Sequence, residues 1–532
     1  MKAPDRLALV LLLAFVVVLV IVQSQHRFLT APYENDFATF AARAKSLEAA
    51  LELNGFYPLG YPFLLWAVRP VTGSIYVAAQ VVAVLSAILL LASTYHLGGM
   101  LLGRWRGALL VAALALNPYG WQGALFLGTD IPWAALQVAA LGAAVRAIQQ
   151  RRIAFWLVAG ALTGLAYLIR YTALLTVPVV WLYLAAVAVR APEERRVALR
   201  HAVGYTFAFV LLALPQLWIS WQATAQPFFN LQGKNIWFGI YGGGDWRAHW
   251  NDIPSQISLW QVFRLDPLRL LWHWGIECAK GAFYTAAMGS GAASIAYRYG
   301  SSAARLIWGI LAALLAASGL ALAWRARKGQ EGRRKAARRE IILLGGYALG
   351  YVASIAVVFV QPRLLLAVLP LALMAVIAFI TCAGRVAQAR MLARWTVVLW
   401  LAFAAVNSAV SLRYWLGELQ PPVARVAHAL QVAGAKPGER VLSTFEMPYA
   451  YHTDYDVRLL ATGLMPEDLP AYLEGEKARF LLVEEMYGAR YWPQLAGLLA
   501  PKDGRASLPR GLELSWLQDK PRVVLYRVWA GD

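Results

Sequence analysis

The sequence is short of cysteine, of acid and of charge in general. Two cysteines, Cys278 and Cys382, stand far apart in 532 residues, which argues against a disulfide framework and a thiolate metal site. Charged residues make up 15% of the chain and hydrophobic ones 60%. Soluble domains carry about 25% charge and roughly 45–50% apolar residues, so a soluble protein is excluded. The 42 glycines and 25 prolines carry no period, which removes collagen-like and low-complexity readings. Seven histidines show no HExxH motif and no paired spacing. Glu277 lies four residues after His273, and a lone pair of this kind is more often structural than catalytic. No Ser-His-Asp or Cys-His signature appears. Walker and GxGxxG elements are missing, so no nucleotide site is legible. No repeat of about 20–50 residues occurs and the halves do not mirror each other, against an inverted-repeat transporter.

What is present is a series of long apolar runs. A helix needs about 20 such residues to cross the hydrocarbon core. Spans are expected near 6–23, 74–95, 107–127, 131–148, 153–169, 171–189, 202–222, 303–324, 340–360, 364–383 and 395–415. That is a polytopic, mainly α membrane domain of about eleven spans over residues 1–415. The 153–189 region holds either two helices with a tight turn at Ile169-Arg170-Tyr171 or one kinked helix. Two helices keep the basic loops on one side. The first span has a basic n-region (Lys2, Arg6) but no small-x-small cleavage site after it, which favours an uncleaved signal anchor over a signal peptide.

The formal charge of +20 would point to nucleic acid in a soluble chain. Here the basic residues cluster in alternate short loops: Arg104 and Arg106; Arg146, Arg151 and Arg152; Arg190 to Arg200; Arg325 to Arg339; Arg385 to Arg394. This is the positive-inside pattern, and no nucleic-acid partner is expected. With the N-terminus cytoplasmic, residues 24–73, 223–302 and the stretch from about 416 fall outside.

The first outer segment reads as an amphipathic surface helix from Phe37 to Leu51, with Arg43, Lys45 and Glu48 on its polar face. Pro58, Gly60 and Pro62 then suggest a rigid, non-helical approach to the next apolar stretch. The second outer segment is rich in tryptophan, and IPSQISLWQVF and DPLRLLWHWGIECA look like helices at the headgroup layer. From 420 to 532 the sequence becomes ordinary soluble α/β sequence. RVLSTF, VRLLA, ARFLLVEE and PRVVLYRVW read as strands and PEDLPAYLEG as a helix.

Carboxylates beside a bilayer are costly and so informative. Asp36 follows Glu34 and Asn35 just after the first span. Asp130 stands at the outer mouth of the third and fourth spans, where Thr129-Asp130-Ile131-Pro132 also reads as a plain helix cap. Arg170 and Arg363 lie at the outer face, against the positive-inside trend. Each suits a lipid phosphate through charge-assisted hydrogen bonds, or snorkels to the headgroups. Lys234 and Arg298, in the second outer segment, are weaker candidates.

The order of these elements resembles the GT-C membrane glycosyltransferases. A signal anchor leads to an outer acidic motif (Glu34-Asn35-Asp36), an amphipathic helix and a YPxGYP-like element (Tyr57 to Pro62). A second outer aspartate, an Arg170-Tyr171 turn and an arginine-led late span (Arg363 to Pro370) follow. The nearest branch is the bacterial one of aminoarabinose transferase and protein O-mannosyltransferase. The resemblance implies a sugar transfer from a polyprenyl-phosphate donor to a lipid, protein or glycan hydroxyl, outside the cytoplasmic membrane. It puts Asp36 as the catalytic carboxylate, with Asp130 as second aspartate and Glu34 as a candidate to share the role. Arg170, Tyr171, Arg363, Tyr57 and Tyr61 are the substrate-binding residues this places in the site, and Lys234 and Arg298 join them as candidates on charge alone. Glu34 and Asp36 together would suit a divalent cation beside substrate phosphate. Rival readings are a polymerase or ligase with a lipid-diphosphate donor, a lipid or sugar transporter, and a membrane scaffold.

Overall fold

The computed structural model describes residues 2–25, 36–242, 257–291, 331–383 and 390–417, and 423–529 apart from short stretches. The expected span at 303–324, with Glu34 and Arg298, lies outside the described residues. The chain divides into two compact units. One comprises Met1–Arg27, Phe40–Tyr241 and Ser255–Leu412; the other comprises Phe28–Thr39, Gly242–Pro254 and Arg413–Asp532.

The first unit is helical. Among the described residues, six helices are long and apolar enough to cross a membrane: Ala3–Gln25, Ile75–Leu102, Asp130–Gln150, Tyr171–Arg190, Pro192–Thr224 and Met391–Arg413. Ile153–Ile169 and Leu369–Thr381 are shorter apolar helices. In chain order the helices are α1 (Ala3–Gln25), α2 (Asp36–Arg43, its first residues to Thr39 belonging to the second unit), α3 (Leu47–Leu51), α4 (Gly60–Thr72), α5 (Ile75–Leu102), α6 (Arg104–Ala115) and α7 (Pro118–Leu125). They continue with α8 (Asp130–Gln150), α9 (Ile153–Ile169), α10 (Thr176–Arg190), α11 (Arg195–Thr224) and α12 (Gln232–Ile240). Then come α13 (Leu259–Leu265), α14 (Pro267–Ser290), α15 (Glu331–Ile355), α16 (Leu369–Ala383) and α17 (Arg390–Gly417).

Several expected boundaries move, each for a local reason. The run 107–127 is two helices. Pro118 cannot donate to a preceding turn, so the helix stops at Ala115 and restarts under an Asn117 cap whose side chain accepts from the Tyr119 N–H. The Asn117 amide also donates to the Met288 carbonyl at 2.7 Å, and Ser408 donates to the Leu116 carbonyl freed by the break at 2.7 Å. The surface helix expected from Phe37 to Leu51 is broken between α2 and α3, where Ser46 caps the second piece. Arg43 does not sit on a solvated face. It is buried and donates to the carbonyls of Tyr57, Ala50 and Glu52. The YPxGYP stretch is not a non-helical approach, because α4 starts at Gly60 and carries Pro62 in its first turn. A first-turn N–H has no helical partner to lose, so proline is tolerated there. The run 340–360 leaves the helix after Ile355, and 364–383 opens as a 3-10 turn at Pro362–Leu365.

The Ile169-Arg170-Tyr171 turn does separate two helices, α9 and a 3-10 turn (Tyr171–Leu175) that leads into α10. α9 packs along α11 at backbone distance. Gly160 and Gly164 face the carbonyls of Tyr205 and Phe209, where an added Cβ would stand only 2.1 and 2.6 Å away. This is the small-xxx-small logic of membrane helix pairs, and Tyr205 fastens it by donating to Thr163 at 3.1 Å. Further along, Ser258 and Gln261 form a capping box on α13, and Asp266 with Pro267 opens α14. Trp260 and Trp272 remain exposed.

The second unit contains a five-stranded sheet in the order β2-β1-β3-β5-β4. Its strands are β1 (Arg440–Ser443), β2 (Asp456–Leu459), β3 (Phe480–Glu484), β4 (Leu512–Asp519) and β5 (Arg522–Val528). β1 pairs in parallel with β2 and β3, and β5 runs antiparallel to β3 and β4. The four strands and the helix expected from sequence are present, the helix as Leu469–Gly475. β4 is an addition. It alternates exposed and half-buried residues along the sheet edge, which leaves it without a continuous apolar run. The core joins Val426 and Leu430 to Leu442, Leu481, Trp492, Val524 and Tyr526.

Candidate active site

Asp130 is the first residue of α8 and does not serve as a cap. The cap residue is Thr129, which makes no side-chain capping bond. The Asp130 carboxylate instead accepts a hydrogen bond from Arg170, and both side chains are only 17% exposed. Arg170 closes α9 with an extended backbone at φ −153° and ψ 128°, so its side chain leaves the helix direction and reaches the head of α8. Its guanidinium lies 5.9 Å above the ring of Trp133, one turn into α8. Trp133 in turn meets Tyr351 of α15, ring centres 5.5 Å apart.

Arg363 completes the group. It sits in the turn before α16, with Nη1 4.0 Å from Asp130 Oδ2 and Nε donating to Gln361 at 2.9 Å. Two guanidiniums thus converge on one carboxylate. The amino end of α8 adds its own positive field beside them. Two partly buried guanidiniums brought together in this way suit a phosphate group.

The YPxGYP element and the Arg-Tyr turn meet through a residue that the sequence reading passed over. Gln216 of α11 accepts from the Leu59 N–H at 3.0 Å and donates to the Tyr171 hydroxyl at 3.3 Å. Gly60 lies so close to α9 that an added Cβ would stand 2.5 Å from the Leu168 carbonyl. Tyr57 and Tyr61 both meet Phe40 edge-on, with centres 4.8 and 5.0 Å away, and Tyr61 is fully buried. Tyr171 is buried beside Tyr167, and Lys234 is buried in the first turns of α12. Asp36 opens α2, where a carboxylate is favoured by the helix dipole. It falls in the second compact unit, and Asp130, Arg170 and Arg363 fall in the first.

Three contributors escaped the sequence reading. Gln216 gave the faint signal of a polar residue inside an apolar run. Arg43 gave none, since its period is that of an exposed face. Trp133 looked like any core aromatic. Among the described residues no three of histidine, cysteine, aspartate and glutamate gather into a metal-sized group. With Glu34 outside them, Asp36 alone does not make a ligand set.

Residues 57–221 match the family described as dolichyl-phosphate-mannose-protein mannosyltransferase. The fold is similar to that of two solved structures. ArnT from Cupriavidus metallidurans, in the apo state, superposes with a TM-score of 0.51 at 14% identity, covering 96% of this chain and 97% of that one. The archaeal oligosaccharyltransferase AglB from Archaeoglobus fulgidus, in complex with an inhibitory peptide and a dolichol-phosphate, gives 0.52 at 12% identity, covering 89% and 69%. No curated protein matches the chain in sequence. The chain therefore resembles the GT-C membrane glycosyltransferases in family profile and in fold, as the order of its motifs led us to expect.

Proposed function

We propose that the chain transfers a sugar from a polyprenyl-phosphate carrier to an acceptor hydroxyl at the outer face of the cytoplasmic membrane. The observation that carries this reading is the convergence of Arg170 and Arg363 on Asp130. Two guanidiniums side by side suit a donor phosphate before transfer and the departing polyprenyl phosphate after it. The dolichol-phosphate in the AglB complex is a lipid phosphate of the same chemical kind. In the transfer, the acceptor oxygen forms a bond to the anomeric carbon. The bond from that carbon to the phosphate oxygen breaks, and its electron pair leaves with the polyprenyl phosphate. Asp36 takes the acceptor proton as general base. Asp130 holds the two arginines in place, and direct displacement inverts the anomeric centre.

The test is to incubate the purified protein and its Asp36→Asn variant with a panel of polyprenyl-phosphate sugars and follow released polyprenyl phosphate by mass spectrometry. Slow release by the parent protein, with water in place of the acceptor, and none by the variant is the expected result. Binding and turnover absent with every monophosphate donor would overturn the reading and turn attention to diphosphate donors.

A further inference from the structure

Arg363 sits in a single 3-10 turn reached by an irregular stretch of chain. After α15 ends at Ile355 the backbone runs irregularly to the turn at Pro362–Leu365. Such a segment drifts unless its polar groups are tied down. Here one stripe of α14 ties them. His273 donates from Nε2 to the Val358 carbonyl at 2.9 Å. One turn on, Glu277 accepts from the Val360 N–H at 2.7 Å. One turn further, Gly281 lets α15 itself come close, since an added Cβ would stand 2.5 Å from Val352 Cγ1. Trp274 donates to the Ala353 carbonyl at 2.7 Å. On the far side of Arg363, Tyr351 donates to the Leu364 carbonyl at 2.9 Å. The backbone is therefore pinned at 360 and at 364, with Arg363 between.

Glu277 is the costly member of this set. Its side chain is only 6% exposed, and its counter-ion is Lys280, which is 51% exposed. A buried carboxylate is retained where its hydrogen bonds matter, and a charged acceptor makes a stronger bond to a backbone N–H than a neutral one. We infer that Glu277 is a positioning residue. By holding Val360 it sets the place of Arg363 against Asp130, and so the phosphate grip. This rests on the proposed role of Arg363 for its functional meaning, but the mechanical part stands alone.

Two readouts keep the two apart. The first is the rate at which a dicarbonyl reagent modifies Arg363 in the purified full-length protein, followed by peptide mass spectrometry. Glu277→Ala is expected to raise that rate roughly tenfold, the scale of one lost charge-assisted hydrogen bond. Glu277→Gln, which keeps an acceptor for Val360, is expected to stay near the parent. A rate unchanged in Glu277→Ala, or raised equally in Glu277→Gln, overturns the inference. The second readout is affinity for undecaprenyl phosphate. Glu277→Ala is expected to weaken it in the parent background and to leave it unchanged in Arg363→Ala. Equal weakening in both backgrounds means Glu277 acts by another route, and the inference fails. Full affinity in Arg363→Ala alone overturns the role given to Arg363 and with it the functional half of the inference. If Glu277→Ala does not fold, His273→Ala supplies the same two comparisons from the neighbouring tie.

Discussion

Replacing either member of the Asp130–Arg170 pair breaks the same contact, yet the two changes act on lipid phosphate with opposite sign. Arg170→Ala removes one of two cations. A hydrogen bond to a charged group contributes about 1.5–3 kcal/mol, so affinity for undecaprenyl phosphate falls by roughly ten- to a hundredfold. Asp130→Asn removes a competing anion. Asp130 Oδ2 is 4.0 Å from Arg363 Nη1, so a phosphate on the other side of that guanidinium stands about 7 Å from the carboxylate. Two unit charges at that distance repel by about 2 kcal/mol at an effective dielectric of about 20. The side chains are 17% exposed, and water reduces this further, leaving a gain of up to about tenfold. Binding of undecaprenyl phosphate to protein in nanodiscs, read by native mass spectrometry, measures both. Turnover falls in both variants, because Asp130→Asn no longer holds the arginines in register. Weakened binding in both would show that the pair is only a structural bolt and that phosphate goes elsewhere.

Asp36→Asn is expected to lower turnover by about 10²–10⁴-fold with donor affinity unchanged, the range for a lost general base; a loss confined to donor affinity would contradict its role. Glu484 lies buried at the end of β3 with the Tyr449 hydroxyl on its carboxyl, and burial pushes it up to about 7. Its folded value is above the unfolded one, so folding favours the protonated form. Stability is full below about pH 4.5 and declines as pH rises to about 7, by on the order of 3 kcal/mol at most. Thermal melts of Glu484→Gln should therefore gain on the parent between pH 5 and 8, and a pH-independent difference would refute the assignment. Gly160→Ala puts a Cβ 2.1 Å from the Tyr205 carbonyl, and should cost about 1–3 kcal/mol of stability by forcing α9 from α11; an unchanged melting temperature in detergent would mean the two helices are not so tightly joined.

The helical membrane character was legible because it is written in bulk: apolar runs and basic loops need no tertiary context. The Arg170 turn was legible as well, since a charged residue between two apolar runs has nowhere else to go. The third span misled because hydropathy is blind to backbone. Asn117 and Pro118 interrupt the helix without interrupting the apolar run. Arg43 misled because periodicity assigns faces only within one helix, and the helix ends at that residue. The Asp130 cap reading failed for a tertiary reason. Arg170, 40 residues away, outcompetes the local backbone for the carboxylate. The role of Gln216 depends on three segments meeting, and no local pattern announces that.

The broken third span carries a consequence for how the protein is made. α6 and α7 have 12 and 8 residues, about 18 and 12 Å of helix, each shorter than the hydrocarbon core of about 30 Å. The carbonyl freed at Leu116 is satisfied by Ser408, 292 positions later. Until α17 emerges from the ribosome, that peptide group must be met by water, lipid headgroup or a holding factor. An early element of the bundle is thus provisional for most of synthesis.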